Sequence, residues 1–242
     1  MSDYLAVARH AAAAGAKLLR ANFLNDARIA DVTGKDIKTL ADVAAQECIL
    51  AVLAPTGIPV LAEEGEHHVA DLDGHVWLVD PLDGTLNFSR GFPVAVVSVA
   101  LWEGGTPLLG IVHDIFSGQV YSAMMGHGAW FDDREMHVSA VAEEGQAILA
   151  TGFPSGRSYD TDSLMQFVQS VQNYKKIRML GSAAMMLAQV AAGRFDVYEE
   201  EDIYLWDVAA GLALVKAAGG TFSMTPGSGP YKYHVRASNG HL

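Results

Sequence analysis

The chain has 242 residues, half of them hydrophobic and 18% charged, which excludes global disorder. The length suits one large domain or two small ones. Sixteen Lys and Arg against 28 Asp and Glu give a net charge of −12, a field that repels phosphate backbones and anionic lipid, so neither nucleic acid nor a membrane surface is predicted as the main partner.

Leu5, Ala8, Ala12, Ala16, Leu19 and Phe23 recur at three- and four-residue steps and predict a helix from a cap at Ser2 to about Phe23. Residues 25–38 show no period and contain Gly34, so they read as a loop. A second helix is predicted over 39–53, with Leu40, Ala44, Cys48 and Ala51 on one face, ended by Pro55, Gly57 and Pro59. Short Val- and Ile-rich runs divided by Gly and Pro then predict strands at 59–62, 75–80, 93–102, 108–115 and 119–124, the last two a hairpin broken at Ser117-Gly118. From 147 onward strands (147–151, 175–179, 195–199, 221–224) alternate with helices (160–173, 182–192, 207–218). The class is α/β, with a helix-plus-meander subdomain over 1–145 and an alternating subdomain over 146–242.

The segment Trp77-Leu78-Val79-Asp80-Pro81-Leu82-Asp83-Gly84-Thr85 carries the most chemistry. A hydrophobic strand delivers Asp80, Pro81 forces a turn, Gly84 permits tight backbone geometry, and Thr85 can cap a short helix. Two carboxylates three residues apart, beside fresh backbone N–H groups, suit a Mg²⁺ ion and a phosphate. Taken alone the segment also reads as an ordinary turn. Glu63-Glu64-Gly65 reads alone as a solvated turn, and Asp207 as a helix cap. Ala210 and Gly211 let the helix that follows Trp206 lie close to a neighbour. An anionic substrate needs something to offset the acidic field, and a bound metal ion is the economical candidate.

Together these pieces resemble the inositol monophosphatase family of Mg²⁺-dependent, lithium-sensitive sugar-phosphate phosphatases. The resemblance rests on Asp-Pro-Leu-Asp-Gly-Thr at 80–85 with Asn87-Phe88, on Trp206-Asp207-Val208-Ala209-Ala210-Gly211, and on Ala217-Ala218-Gly219-Gly220. It extends through residues 36–42, Glu63-Glu64, residues 151–154 and Gly181-Ser182-Ala183-Ala184, and so covers nearly the whole chain. It implies a layered α/β/α/β/α sandwich, with most metal ligands in 1–145 and Asp207 and substrate contacts in 146–242. It assigns Glu63, Asp80, Asp83 and Asp207 as carboxylate ligands of two or three Mg²⁺ ions, with the Leu82 carbonyl as a further ligand and Asp80 as a bridge. Asp83, Gly84 and Thr85 would meet the phosphate end of the substrate, and Gly181, Ser182, Ala183 and Glu200 its hydroxyl-rich part. Asp42 and Thr85 match the pair that orients the attacking water, with Glu63 acting beside them. The implied reaction is hydrolysis of a small phosphate monoester, foremost myo-inositol 1-phosphate. Fructose 1,6-bisphosphate, histidinol phosphate or a nucleotide 3′-phosphate are alternatives, as is a regulatory binding protein that keeps the fold. A homodimer is implied.

Here Lys35 is adjacent to Asp36, where many members carry a basic residue several positions earlier. Ser182 stands where some relatives have Thr, and the chain stops at Leu242, where relatives usually continue into a last helix. His67-His68 and Asp71-Leu72-Asp73-Gly74 read as loop and turn, residues 199–202 as a solvated charge run apart from Glu200, and Met185-Met186 and Cys48 as core. A single cysteine cannot close an internal disulfide, the start Met1-Ser2-Asp3-Tyr4 lacks a signal-peptide pattern, and no apolar run approaches the ~18 residues of a membrane span. A soluble cytoplasmic protein is the expectation.

Overall fold

The computed structural model describes residues 2–23, 29–33, 36–65, 72–153 and 159–242. The predicted features at His67, His68 and Asp71 lie outside them. Two sheets and their helices stack as five layers. Helices α1 (Ser2–Asn22) and α2 (Leu40–Leu53) cover one face of a seven-stranded sheet. That sheet runs in the order β3 (Val60–Ala62), β4 (His75–Asp83), β5 (Val96–Glu103), β6 (Thr106–Asp114), β7 (Val120–Met124), β8 (Gly128–Phe131), β9 (Arg134–Met136). Only β3 and β4 pair in parallel; the rest is an antiparallel meander. Helices α5 (Ala183–Ala191) and α6 (Leu205–Ala217) fill the middle layer. The second sheet is built from β10 (Ile148–Thr151), β11 (Lys176–Arg178), β12 (Val197–Tyr204), β13 (Thr221–Pro226) and β14 (Lys232–Ser238), ordered β11-β10-β12-β14-β13. Helix α4 (Thr161–Val171) lies over its outer face, where Phe167 shares a cavity with Leu149 and Thr151.

The sheet strands read as continuous apolar runs because both faces are buried. In β4, Trp77 and Val79 point toward α1 and α2, while Val76 and Leu78 point toward α5 and α6. The partners alternate the same way: Leu109 and Ile111 face α1, and Ala100 and Val112 face the middle layer. Helix α6 is buried on nearly every side, which explains its lack of a polar stripe. A Cβ added at Gly211 would overlap the Leu187 side chain, so the small residues there do serve a close helix approach, against α5.

Several expectations need correction. The predicted loop at 25–38 contains two strands, β1 (Ile29–Thr33) and β2 (Asp36–Thr39), paired antiparallel. Their sequences carry Asp31, Asp36 and Lys38 in place of an apolar alternation, so backbone pairing left no hydrophobic signature. Pro81 does not end its strand: β4 continues to Asp83, and its pairing with β5 breaks between Asp80 and Asp83. Proline is tolerated at such a bulge because no ladder donor is needed there. Thr85 is the first residue of α3 (Thr85–Ser89), whose cap is Gly84. Asp207 is not a cap either; α6 starts two residues earlier, after Tyr204. Residues 199–202 lie within β12 and alternate: Glu201 is exposed and Glu199 partly so, bonded by Arg236 at 2.7 Å, whereas Glu200 is buried and so is Asp202, bonded by Lys232 at 3.1 Å. Cys48 is only partly buried, whereas Met185 and Met186 are core. Strands β8, β9 and β14 were not predicted, because each is short or mixes polar with apolar residues. No described helix is long and apolar enough to cross a membrane.

Candidate active site

Strand β4 enters from the core and leaves Asp80 and Asp83 at its bulged end, with only 2% and 9% of their surfaces exposed. The Leu82 amide donates to Asp80 Oδ1 at 2.9 Å, which closes the turn on itself. Gly84 follows at φ +93°, and a Cβ there would lie 2.8 Å from the Val94 carbonyl, so this position demands glycine twice over. The Thr85 hydroxyl donates to the Leu82 carbonyl at 3.0 Å. Asn87 then ties the turn to the opposite wall, its amide donating to the carbonyls of Leu180 at 2.7 Å and Val94 at 3.0 Å.

Glu63 follows β3, and its amide donates to the Val79 carbonyl at 3.2 Å, beside Asp80. The adjoining Glu64 backbone is gripped by buried Gln46 of α2: the Gln46 amide donates to the Glu64 carbonyl at 2.5 Å, and its oxygen accepts the Glu64 N–H at 2.9 Å. Asp42 is buried in the first turn of the same helix.

The other wall belongs to the second sheet and the middle helices. Ser182 caps α5; its hydroxyl accepts the Met185 N–H at 3.2 Å and donates to Asp83 Oδ2 at 2.7 Å. The Ala184 and Ala183 amides also donate to Asp83, at 2.7 and 3.2 Å. The Asp83 carboxylate thus crosses the cleft to the start of a helix, where its charge is favoured. Asp207 stands in the first turn of α6 and Glu200 on β12. A cleft of about 190 Å³ brings Asp83, Gly181, Ser182, Ala183, Glu200 and Asp207 together.

Electrostatics ties Asp80 and Glu63 to this group. Burial, then Glu63, Asp83 and Asp207, push the Asp80 carboxyl well above its ordinary range. Burial, Glu63, Asp83 and Glu200 do the same to Asp207. Asp83 is raised by burial to about 6, held there by opposing hydrogen bonds from Ser182 and the α5 amides. Under the cleft, the buried Tyr198 hydroxyl is pushed up by burial and by the Glu200 carboxylate. Carboxylates that raise one another in this way are short of positive charge, and hard oxygen donors suit Mg²⁺. The donor chemistry therefore fits the ion. Among the described residues, no three His, Cys, Asp or Glu side chains close round one point as they stand; Asp83 is turned to α5 and Asp80 to its own turn.

The Thr85 hydroxyl is engaged by Leu82, so the expected pairing with Asp42 does not describe its hydrogen bond here. Sequence reading missed the roles of Gln46, Asn87 and Tyr198. Gln46 had a faint signal, an amide inside a largely apolar helix. Asn87 stood in a signature segment but carried no assigned role, because its partner across the cleft, Leu180, lies 93 residues away.

The inositol monophosphatase family model matches residues 1–241. An inositol-1-monophosphatase from Rhizobium meliloti is 40% identical over 70% of this chain, which spans 64% of that relative's length. A protein named fructose-1,6-bisphosphatase/inositol-1-monophosphatase from Aquifex aeolicus is 32% identical over 93% of this chain and 86% of its own. Among solved structures, the extragenic suppressor protein suhB from Bartonella henselae superposes with a TM-score of 0.86 at 31% identity, covering 99% of this chain and 95% of that one.

Proposed function

The chain belongs to the inositol monophosphatase family, and from that premise we propose that it hydrolyses a small polyol phosphate monoester, foremost myo-inositol 1-phosphate. The observation that carries this is the raised Asp80, Asp83 and Asp207 carboxyls, all lifted by burial and Asp80 and Asp207 also by neighbouring acids, with Asp83 and Asp207 lining a cleft that also offers Glu200. Glu63, Asp80, Asp83, Asp207 and the Leu82 carbonyl would hold two or three Mg²⁺ ions, which supply charge neutralisation for phosphate and leaving oxygen and a lowered pKa for water. Gly84 and Thr85 would offer backbone N–H groups to the phosphate. Glu200 would accept substrate hydroxyls beside Gly181, Ser182 and Ala183. A water oxygen bonds to phosphorus as the ester P–O bond breaks, and a proton ends on the leaving alkoxide. The chain's task is positioning more than covalent chemistry.

The test is a comparison of kcat/KM in Mg²⁺ for myo-inositol 1-phosphate, fructose 1,6-bisphosphate, histidinol phosphate and a nucleotide 3′-phosphate. The inositol ester is expected to lead; release of phosphate from none of the four would reject the reading. Lithium is expected to inhibit. An intact carboxylate set speaks for turnover over a purely regulatory role.

Thr85 is the place to separate water orientation from metal binding. For Asp42 to accept its hydroxyl proton, Thr85 must release the Leu82 carbonyl, which is itself assigned to a metal. Ion binding at Leu82 would favour that switch. Thr85→Ala keeps the backbone N–H, so kcat is expected to fall roughly ten- to a thousandfold with little change in KM. Asp42→Asn should match it, and the double variant should be little worse than either single one. Losses that multiply would dissolve the pair.

We further propose a homodimer. Leu86, Phe92 and Met179 are each about half exposed, and Asn87 holds their segments together, leaving an apolar patch. A light-scattering mass near that of one chain would refute it.

A further inference from the structure

The cleft is lined by two chemically different kinds of side chain. Asp83, Asp207 and Glu200 are acids, and Phe153 and Ile203 share the wall with them as apolar side chains. Phosphate and metal ions have no use for hydrocarbon, so the apolar pair faces the rest of the substrate. A six-membered polyol ring carries hydroxyls around its rim and C–H groups on its faces. Its rim can reach Glu200 while one face lies against an aromatic ring. An open-chain polyol has no such face and gains less from an apolar wall.

The local sequence sets these two surfaces side by side. At the end of β10 the Thr151 hydroxyl donates to the Glu199 carbonyl at 2.6 Å, which fixes the strand end against β12. Gly152 comes next, and a Cβ there would lie 2.5 Å from Glu200 Oε1, so the carboxylate rests directly on the Gly152 backbone. Phe153 is the following residue. Its ring is braced from behind by Phe167 of α4, with centroids 4.6 Å apart at 54°, and by Tyr159, 5.7 Å away at 34°. The Tyr159 hydroxyl also reaches the Phe153 carbonyl at 3.4 Å. Such aromatic contacts add to burial and restrict the ring. Swinging the Phe153 ring out of the wall would break both ring contacts.

We propose that Phe153 is a specificity-determining residue that selects cyclic over open-chain polyol phosphates by offering its ring to a face of the substrate, with Phe167 as the positioning residue behind it. This rests on the phosphate-monoester reading above and deepens it.

The experiment uses the whole chain in Mg²⁺ and measures the ratio of kcat/KM for myo-inositol 1-phosphate to that for glycerol 2-phosphate. Phe153→Ala is expected to lower the ratio about tenfold, through KM more than kcat, since a ground-state contact is lost. Phe167→Ala, which leaves the cleft wall in place, should lower the same ratio by a smaller factor, and Phe167→Tyr should restore it. If Phe153→Ala does not fold, Phe153→Leu keeps much of the apolar volume without the flat face and must itself lower the ratio at least about threefold. A ratio within twofold of the parent chain, in a variant that melts like the parent, overturns the inference alone. A parent chain that hydrolyses neither ester overturns the phosphatase reading as well, so the two failures are told apart.

Discussion

Chelation with EDTA is expected to bring phosphate release to background, and Mg²⁺ to restore it. Asp80 is 2% exposed and Asp83 9%, and the largest influences on Asp80, Asp83 and Asp207 are desolvation and, for Asp80 and Asp207, neighbouring acids. A phosphate ester brings more negative charge to the same cleft. Without cations that approach is uphill, because an unpaired buried charge is costly and like charges raise it further. The same crowding affects stability. These carboxyls hold their protons more tightly folded than unfolded: Asp83 sits at about 6 against its ordinary 3.8. The folded metal-free protein therefore binds more protons, and its stability falls as pH rises through that range. Mg²⁺, if it is the ion held as proposed, would bind the deprotonated form and reverse the trend. The gap in melting temperature between Mg²⁺-loaded and metal-free protein should widen from about pH 4.5 to 7. Full turnover in chelator, or a constant gap, would remove the metal from the mechanism.

How much of this was legible depended on how local each signal was. The apolar runs of β4, β5 and β6 could be read directly because burial on two faces writes itself into every residue. The helix predicted over 182–192 starts within one residue of α5, whose cap is Ser182. Strands β1 and β2 could not be read, since their pairing is made by backbone atoms and their sequences carry no apolar alternation. Nor could the bulge in β4: Asp80-Pro81-Leu82-Asp83 looks like a turn, and only pairing with β5 makes it a strand. In the site, the acids were visible as residue types in signature segments. Their second partners were not. Nothing in the sequence near Asp83 announces that Ser182, Ala183 and Ala184 will hold it from across the cleft, about a hundred residues away. Glu63 likewise depends on a grip by Gln46 on its neighbour's backbone.

Asp207→Asn and Asp83→Asn should each lower kcat by about a hundredfold or more, the scale on which disturbed metal sites lose function, yet they should differ in what they do to the fold. Asp207 is surrounded by acids: Glu63, Asp83 and Glu200 all raise it, with one favourable hydrogen bond from the Tyr204 region. An amide of the same shape removes the charge that those neighbours oppose. The metal-free Asp207→Asn protein should therefore melt above the metal-free parent. Asp83 is different. Both of its oxygens accept hydrogen bonds, from the Ser182 hydroxyl and from two amides at the start of α5. An asparagine there must turn its NH₂ toward a donor that cannot reverse, or leave the Ala184 or Ala183 N–H unpaired, and it also gives up a negative charge at a helix start. Relief of repulsion and loss of these bonds oppose one another, so Asp83→Asn should gain less in melting temperature than Asp207→Asn, or fall below the parent. Ser182→Ala offers an internal check: it should weaken the hold on Asp83 and lower its Mg²⁺ affinity while leaving all four carboxylates in place. If Asp207→Asn keeps near-normal turnover, its assignment as a ligand is wrong; if it destabilises the metal-free protein, the acids around it are not as short of positive charge as their elevation indicates.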